Sequence, residues 1–121
     1  VNALKSSLEN IAYSTRLSSL DFWCDWGSSS EYMSLLVDSC TSIQYEDFIL
    51  ATGHTVWARD IVEELFCRRG LSVEDHIKTD KTEIKKYTDY WTASNEKFKR
   101  ATGLSPTISG LMVFEDVFAK I

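Results

Sequence analysis

The sequence predicts an α-rich α+β domain with about five helices and two or three short strands. Apolar residues recur at helical spacing in several segments, and two short segments carry strand-like aromatic or apolar runs. A length of 121 residues is enough for one domain with a modest core. The composition, 44% hydrophobic and 26% charged, is that of an ordinary globular protein. We therefore expect residues 1–121 to form a single domain.

Two short strands are predicted in the first half of the chain. Residues 20–26 are aromatic-rich and partly alternating, and residues 45–51 form an apolar run that ends at Thr-Gly. Two strands cannot make an independent sheet of any strength. We therefore expect them to complete a sheet that belongs to something larger, or to pair with another chain.

Three helices are predicted around these strands. Apolar spacing predicts a first helix over residues 1–15, and Ser28 with Glu31 three residues later is a capping box that starts a second helix. The clearest helix covers residues 57–66, with apolar residues on one face and charges on the other. Basic residues and Gly70 follow it, which is a usual helix end.

The second half of the chain shows less regular hydrophobic periodicity. Residues 71–92 are polar and lysine-rich and are predicted to form a loop with short extended pieces. Ser94 is predicted to cap a short helix that ends at Gly103, and Pro106 precedes a final helix, Leu111–Ile121. That last helix is apolar around more than one face, so we expect another protein surface to cover it.

Charge and cysteine usage restrict the classes of function. The net charge of −5 argues against nucleic acid as a partner, because phosphate binding needs a basic face. No apolar run approaches the roughly 20 residues of a membrane helix, and we expect no secretory leader. Because it begins with Val1 rather than Met, we expect a segment upstream. Cys24, Cys40 and Cys67 lack metal-ligand spacing and fit the reduced thiols of a cytoplasmic protein; we expect no metal site.

Several motifs follow one another in the order and spacing of a known family. Residues 24–32 read Cys-Asp-Trp-Gly-Ser-Ser-Ser-Glu-Tyr, where that family has Arg-Asp-Trp-Gly-His-x-x-Asp-Tyr. Residues 46–53 read Glu-Asp-Phe-Ile-Leu-Ala-Thr-Gly, beside the family's Glu-Asp-(Phe/Tyr)-Val-Ile-Ala-Thr-Gly. Residues 58–62 read Ala-Arg-Asp-Ile-Val, beside Val-Arg-(Glu/Gln)-Phe-Val. The chain thus resembles the C-terminal substrate-binding domain of GDP-mannose 4,6-dehydratase, an extended short-chain dehydrogenase/reductase of the NAD-dependent epimerase/dehydratase family.

The resemblance implies a domain that holds a nucleotide-sugar and packs against an N-terminal Rossmann domain, which binds NADP and supplies the catalytic Tyr and Lys. This sequence has neither a Gly-rich phosphate loop nor a Tyr-x-x-x-Lys motif. We therefore expect no cofactor site and no catalytic residue in this chain, and no lyase activity by the chain alone. NADP is expected in the Rossmann domain of the parent enzyme.

The resemblance also indicates which residues contact the substrate. These are Trp26, Gly53, Arg59, Lys85 and Lys86. The two lysines stand near the position of a phosphate-directed Arg, but lysine offers no bidentate geometry. Cys24 replaces the Arg that contacts the pyrophosphate in such enzymes. Simpler alternatives are core packing for the tryptophans, an ion pair for Arg59 and a solvated loop for the lysine cluster.

Two functions follow from these patterns. The first is a nucleotide-sugar-binding domain of a dehydratase- or epimerase-like protein, with a Rossmann domain or a second copy packed on helix 111–121. The second is a diverged, non-enzymatic domain that serves protein association. The second function is motivated by a contrast within the motifs: the residues typical of packing are retained, whereas the residues that contact phosphate in the family are replaced.

Overall fold

A computed structural model describes residues 1–42, 46–80 and 90–120. The helices are α1 (Asn2–Glu9), α2 (Ser29–Ser39), α3 (Ala58–Cys67), α4 (Val73–His76), α5 (Glu96–Thr102) and α6 (Leu111–Ala119). The strands are β1 (Thr15–Leu17), β2 (Trp23–Asp25), β3 (Thr55–Trp57) and β4 (Ile77–Thr79). The predicted α+β class is confirmed, although these ranges hold more elements than the sequence predicted.

The strands form two separate pairs. Strands β1 and β4 are parallel, with Thr15 opposite Ile77. Strands β2 and β3 are antiparallel, with Trp23 opposite Trp57. Each strand is only three residues long. Such short pairs depend on packing against helices for their stability.

Helix α3 lies at the centre of the core. Its apolar positions repeat at helical spacing, so one face of the helix is buried. The buried cluster joins α3 to α1, α4 and the segment before β2; its members are Leu4, Leu20, Ile61, Leu65, Phe66, Val73 and Ile77. The partly buried Leu111, Phe114 and Phe118 of α6 pack on the edge of this cluster.

Arg69 ties the end of α3 to α6. Its Nη2 lies 2.6 Å from Oε2 of Glu115, and its guanidinium carbon lies 4.1 Å from the centre of the Phe118 ring. Nη1 of Arg69 also donates to the carbonyl of Leu65. This side chain thus combines an ion pair, a cation–π contact and a helix C-terminal contact.

The strand predicted over residues 45–51 is wrong for its described part, residues 46–51. No strand of the described ranges pairs with it, and it is held by side chains instead. Nζ of Lys97 lies 3.0 Å from the carbonyl of Asp47, and Nδ2 of Asn95 lies 2.9 Å from the carbonyl of Ala51. The apolar run predicted strand conformation, but a ladder also needs a partner strand beside it. The first residue of the prediction, Tyr45, lies outside the described residues.

The first helix is shorter than predicted. It ends at Glu9, and Asn10 is extended with a φ of −143°. Oδ1 of Asn10 accepts a hydrogen bond from the backbone N–H of Ala12, so a local turn replaces the helix. Ile11, which the helical pattern includes, is 81% exposed.

Two further expectations change in the middle of the chain. Trp57 belongs to β3 rather than to the following helix, because it pairs with Trp23. The predicted loop over residues 71–92 contains α4 and β4 before residue 81; Val73 and Ile77 are buried in the core, which pins both elements. Residues 81–89 lie outside the described ranges. The predicted end of α5 at Gly103 is confirmed, and its φ of 72° suits glycine.

Some apolar side chains remain on the surface. On α2, three residues on one stripe are 44–67% exposed: Met33, Leu36 and Val37. On α6, Met112 and Val117 are 58% and 42% exposed. Within the described ranges, the structure holds no helix long and apolar enough to cross a membrane.

Candidate functional site

The β2–β3 pair carries an aromatic surface. Trp23 and Trp57 stand opposite each other across the strands, with ring centres 6.4 Å apart and ring planes 25° apart. Tyr90 meets Trp23 edge-on, with ring centres 5.3 Å apart. Trp23 is 41% exposed and Tyr90 62% exposed. Large aromatic residues that remain exposed together often mark a binding surface.

An open cavity of about 370 Å³ lies between this aromatic surface and helix α3. Its lining residues are Trp23, Thr55, Val56, Trp57, Asp60, Ile61, Glu64 and Leu111. The volume is in the range of small-molecule sites. The lining combines two aromatic rings, two carboxylates and one hydroxyl, so it offers stacking and hydrogen-bond acceptors.

Asp25 holds the loop that enters β3. Its Oδ1 accepts a short hydrogen bond from Oγ1 of Thr52, and its Oδ2 accepts one of 2.9 Å from the backbone N–H of Gly53. Gly53 has a φ of 73°, a conformation that glycine adopts without strain. Oγ1 of Thr52 accepts in turn from the N–H of His54. These hydrogen bonds fix Gly53, one of the predicted site residues, beside the β2–β3 pair.

Tyr32 packs beside Gly27, near this loop. Its ring lies so close to Gly27 that a methyl group there would stand 2.1 Å from the phenol oxygen. Burial, and then the charges of Asp25 and Glu31, raise the pKa of the Tyr32 phenol, while a hydrogen bond to the backbone of Thr52 acts in the opposite direction. Tyr32 is therefore a neutral packing and hydrogen-bonding group at physiological pH.

The capping box is confirmed in one half only. Oγ of Ser28 accepts a hydrogen bond from the backbone N–H of Glu31 at 3.4 Å, as an N-cap does. The Glu31 carboxylate turns away and accepts from Thr107 N at 2.8 Å, Thr107 Oγ1 at 2.6 Å and Ile108 N at 3.0 Å. Glu31 thus joins the start of α2 to the segment that leads into α6.

Glu31→Gln is expected to change the pH dependence of stability. Partial burial raises the pKa of Glu31, but the hydrogen bonds from Thr107 and Ile108 outweigh it and lower the pKa below its ordinary value. A carboxylate with a lowered pKa stabilises the fold above its ordinary pKa of about 4.3, and that contribution is lost as pH falls through the folded-state value.

We therefore expect the free energy of unfolding of Glu31→Gln to lie below that of the wild type at pH 7. The two should converge below about pH 4, in the range where Glu31 becomes protonated. Urea unfolding at pH 7, 5 and 3 measures this. Glu9→Gln, at an exposed position on α1, is the matched control. A constant difference between wild type and Glu31→Gln at every pH would contradict the assignment.

Three of the five predicted site residues, Trp26, Gly53 and Arg59, lie in the described part of the chain. Trp26 is half-buried, with its ring centre 5.3 Å from Phe114 and 6.0 Å from Phe22. Nε and Nη2 of Arg59 donate to Oδ1 of Asp21 at 3.2 and 3.1 Å. Trp26 thus packs against other aromatic rings, and Arg59 forms an ion pair with Asp21. Both arrangements match the simpler alternatives to substrate contact. The other two predicted residues, Lys85 and Lys86, are outside the described part of the chain.

Cys24 stands on β2, opposite Val56. Burial, followed by the charge of Asp25, raises the pKa of its thiol. The group is therefore an uncharged thiol at neutral pH. It provides no cation at the position where the resembling family carries its phosphate-directed Arg.

The tryptophan pair and the second role of Glu31 were not found from the sequence. Trp57 was assigned to a helix, so nothing in the pattern placed it beside Trp23. The contact of Glu31 with Thr107 spans 76 residues along the chain, and no local motif signals such a contact. Both depend on how distant segments pack together.

The sequence matches no protein-family model. Among solved structures, the chain is similar to RMD from Pseudomonas aeruginosa complexed with NADPH, with 15% sequence identity and a TM-score of 0.70. The match covers 93% of this chain and 36% of that chain. At this identity the likeness shows a shared fold. The chain has the fold of about a third of RMD, a larger protein whose structure holds a dinucleotide.

Proposed function

We propose that this chain is a nucleotide-sugar-binding domain, which acts with a cofactor-binding Rossmann domain in a dehydratase- or epimerase-like protein. The observation that carries the proposal is the fold likeness to RMD over 93% of the chain. The ordered motifs that resemble GDP-mannose 4,6-dehydratase support it independently. In this proposal the whole of residues 1–121 is the substrate domain, and NADP binds to the Rossmann domain.

The surface around β2 and β3 supports a ligand-binding role. The cavity beside Trp23 and Trp57 has room for part of a nucleotide-sugar, about 370 Å³. Arg59 is a neighbouring cation: its guanidinium carbon lies 5.6 Å from the Trp57 ring centre. Its two hydrogen bonds go to one oxygen of Asp21, and they use two of the five N–H groups of the guanidinium.

Exposed apolar surfaces support a partner domain. A groove of about 470 Å³ runs between α1, α3 and α6, and Phe114 and Val117 of α6 lie along it. We place the Rossmann domain, or a second copy, on this side of α6. The exposed stripe on α2 suits the same kind of contact, because apolar surface is stabilised when it is covered.

A titration of tryptophan fluorescence with GDP-mannose tests the proposal. Trp23 and Trp57 line the cavity, so we expect saturable quenching by GDP-mannose that exceeds the response to UDP-glucose. The quenching should weaken with added salt, because a diphosphate is attracted electrostatically. Circular dichroism of the same sample establishes that the chain is folded. A folded chain that gives no response to either ligand contradicts the proposal.

The second candidate function is protein association without nucleotide binding. Cys24 in place of an arginine and the pairing of Arg59 with Asp21 favour it. Sedimentation at increasing concentration distinguishes the two candidates. Self-association together with no nucleotide response supports this second function, whereas a monomer that binds GDP-mannose supports the first.

A further inference from the structure

We propose that the cavity between the β2–β3 pair and α3 binds an organic ammonium group, which contacts the indole rings of Trp23 and Trp57 and the carboxylate of Asp60. The inference goes beyond the proposed nucleotide-sugar function and does not depend on it, because it gives the cavity a positively charged ligand. Such a group belongs either to a free amine or to a lysine side chain of another protein. Neither the motifs of the dehydratase family nor the fold likeness to RMD points to a cation here.

Asp60 leaves an uncompensated negative charge at the cavity. Both Asp60 and Glu64 line it, but Oε1 of Glu64 accepts a hydrogen bond from Nε of Arg68 at 2.7 Å. Arg59, the neighbour of Asp60 in the chain, donates instead to Asp21. Within the ranges that the structure describes, no hydrogen bond or ion pair engages the carboxylate of Asp60. The cavity therefore repels an anionic ligand and attracts a cationic one.

The two tryptophans supply the aromatic side of the site. A cation within about 6 Å of a ring centre is attracted to the ring face, and tryptophan attracts it most strongly of the aromatic residues. Trp57 already makes such a contact, because the guanidinium carbon of Arg59 lies 5.6 Å from its ring centre. Trp23 is 41% exposed, and no cation of the described residues lies over its ring. Trp23 is thus accessible to a cation from outside the chain.

An organic ammonium matches both kinds of lining. Its alkyl groups suit the apolar walls, which Val56, Ile61 and Leu111 complete, and its charge suits the carboxylate and the rings. A neutral apolar ligand gains nothing from Asp60, and a metal ion needs several ligand atoms. The described part of the chain has no group of three or more His, Cys, Asp or Glu side chains that could hold a metal. The volume of about 370 Å³ accommodates tetramethylammonium or the end of a lysine side chain.

An NMR titration of the intact, isotope-labelled chain tests the inference. Tetramethylammonium represents a free amine, and N-acetyl-lysine amide represents a lysine of another protein. N-acetyl-norleucine amide is a neutral control of similar shape. At constant ionic strength, we expect both cations, and not the control, to shift the indole N–H signals of Trp23 and Trp57 saturably. A repeat at higher salt should show weaker binding, because salt screens an exposed charge.

Substitutions separate the contribution of the charge from that of the rings. Asp60→Asn removes the charge and should weaken the binding of both cations about fivefold. Glu63→Gln, at an exposed carboxylate of the same helix outside the lining, is its matched control and should bind like the wild type. Trp23→Leu should weaken binding about fivefold as well, whereas Trp23→Phe retains an aromatic ring and should lose less. Trp91→Leu, at a ring 78% exposed outside the lining, should have no effect.

Three results would overturn the ammonium site in a folded chain: equal binding of the lysine and norleucine derivatives, wild-type affinity in Asp60→Asn, or no shift at either indole. If Asp60→Asn does not fold, equal affinities of Trp23→Leu and Trp23→Phe overturn it instead. If only one of the two cations binds, the site stands and that cation identifies the source of the ammonium group. A chain that binds tetramethylammonium but not GDP-mannose contradicts the proposed function and leaves this site in place.

Discussion

Phe98→Ala is expected to lower the free energy of unfolding by about 3–5 kcal/mol, through lost apolar contact and the cavity that remains. Phe98 is 1% exposed and is the largest fully buried side chain of the described residues. Its ring packs edge-on against Phe48, with ring centres 6.1 Å apart. The loss is a large part of the roughly 5–15 kcal/mol that stabilises a small domain.

Urea unfolding followed by circular dichroism measures this loss. Phe98→Leu retains most of the side-chain volume and should cost less than about 1.5 kcal/mol. Ile11→Ala removes an apolar side chain that is 81% exposed, and it should change the stability by less than about 0.5 kcal/mol. If Phe98→Ala behaved like Ile11→Ala, Phe98 would not hold segment 46–51 against α5.

Gly27→Ala is expected to lower the stability by about 1–3 kcal/mol through overpacking. An added Cβ at residue 27 would stand 2.1 Å from Oη and 2.2 Å from Cζ of Tyr32. The Tyr32 ring would have to move away from residue 27. The backbone of Gly27 is itself bridged to Ser109, which limits its freedom to shift.

A double-mutant cycle identifies the cause. In a Tyr32→Ala background the added methyl group meets no ring, so Gly27→Ala should then cost little. In a Tyr32→Phe background Cζ remains, so most of the cost should persist. Equal costs of Gly27→Ala in the wild type and in Tyr32→Ala would instead assign the effect to the backbone of residue 27.

The helical parts of the fold were predictable because their signals are local. The apolar spacing of α3, the cap at Ser28 and the ending of α5 at Gly103 each depend on residues within one or two turns. Segment 46–51 shows the opposite case. Its composition favours a strand, but a ladder requires a neighbour that is distant in sequence, so pattern alone misassigned it.

The candidate site shows the same contrast between local sequence signals and contacts that form only in the folded chain. Gly53 and Arg59 were selected because they match motifs, and the structure places both next to the β2–β3 pair. Asp60 and Trp57 were not selected together: Asp60 lies in the motif of residues 58–62 but was given no role, and Trp57 was assigned to a helix. They line one cavity because β3 leads directly into α3, which brings the last residue of the strand next to the first turn of the helix.

By itself the sequence determined the α+β class and most of the helices, and it contains the ordered motifs on which the proposed nucleotide-sugar function rests. Those features follow from periodicity and from neighbouring residues, which act over one or two helical turns. Only the tertiary structure decided that Trp23 faces Trp57, that Glu31 holds Thr107 and that Asp21 engages Arg59. The partners in those pairs are separated by 34, 76 and 38 positions along the chain, and burial of the core on α3 is what brings them together.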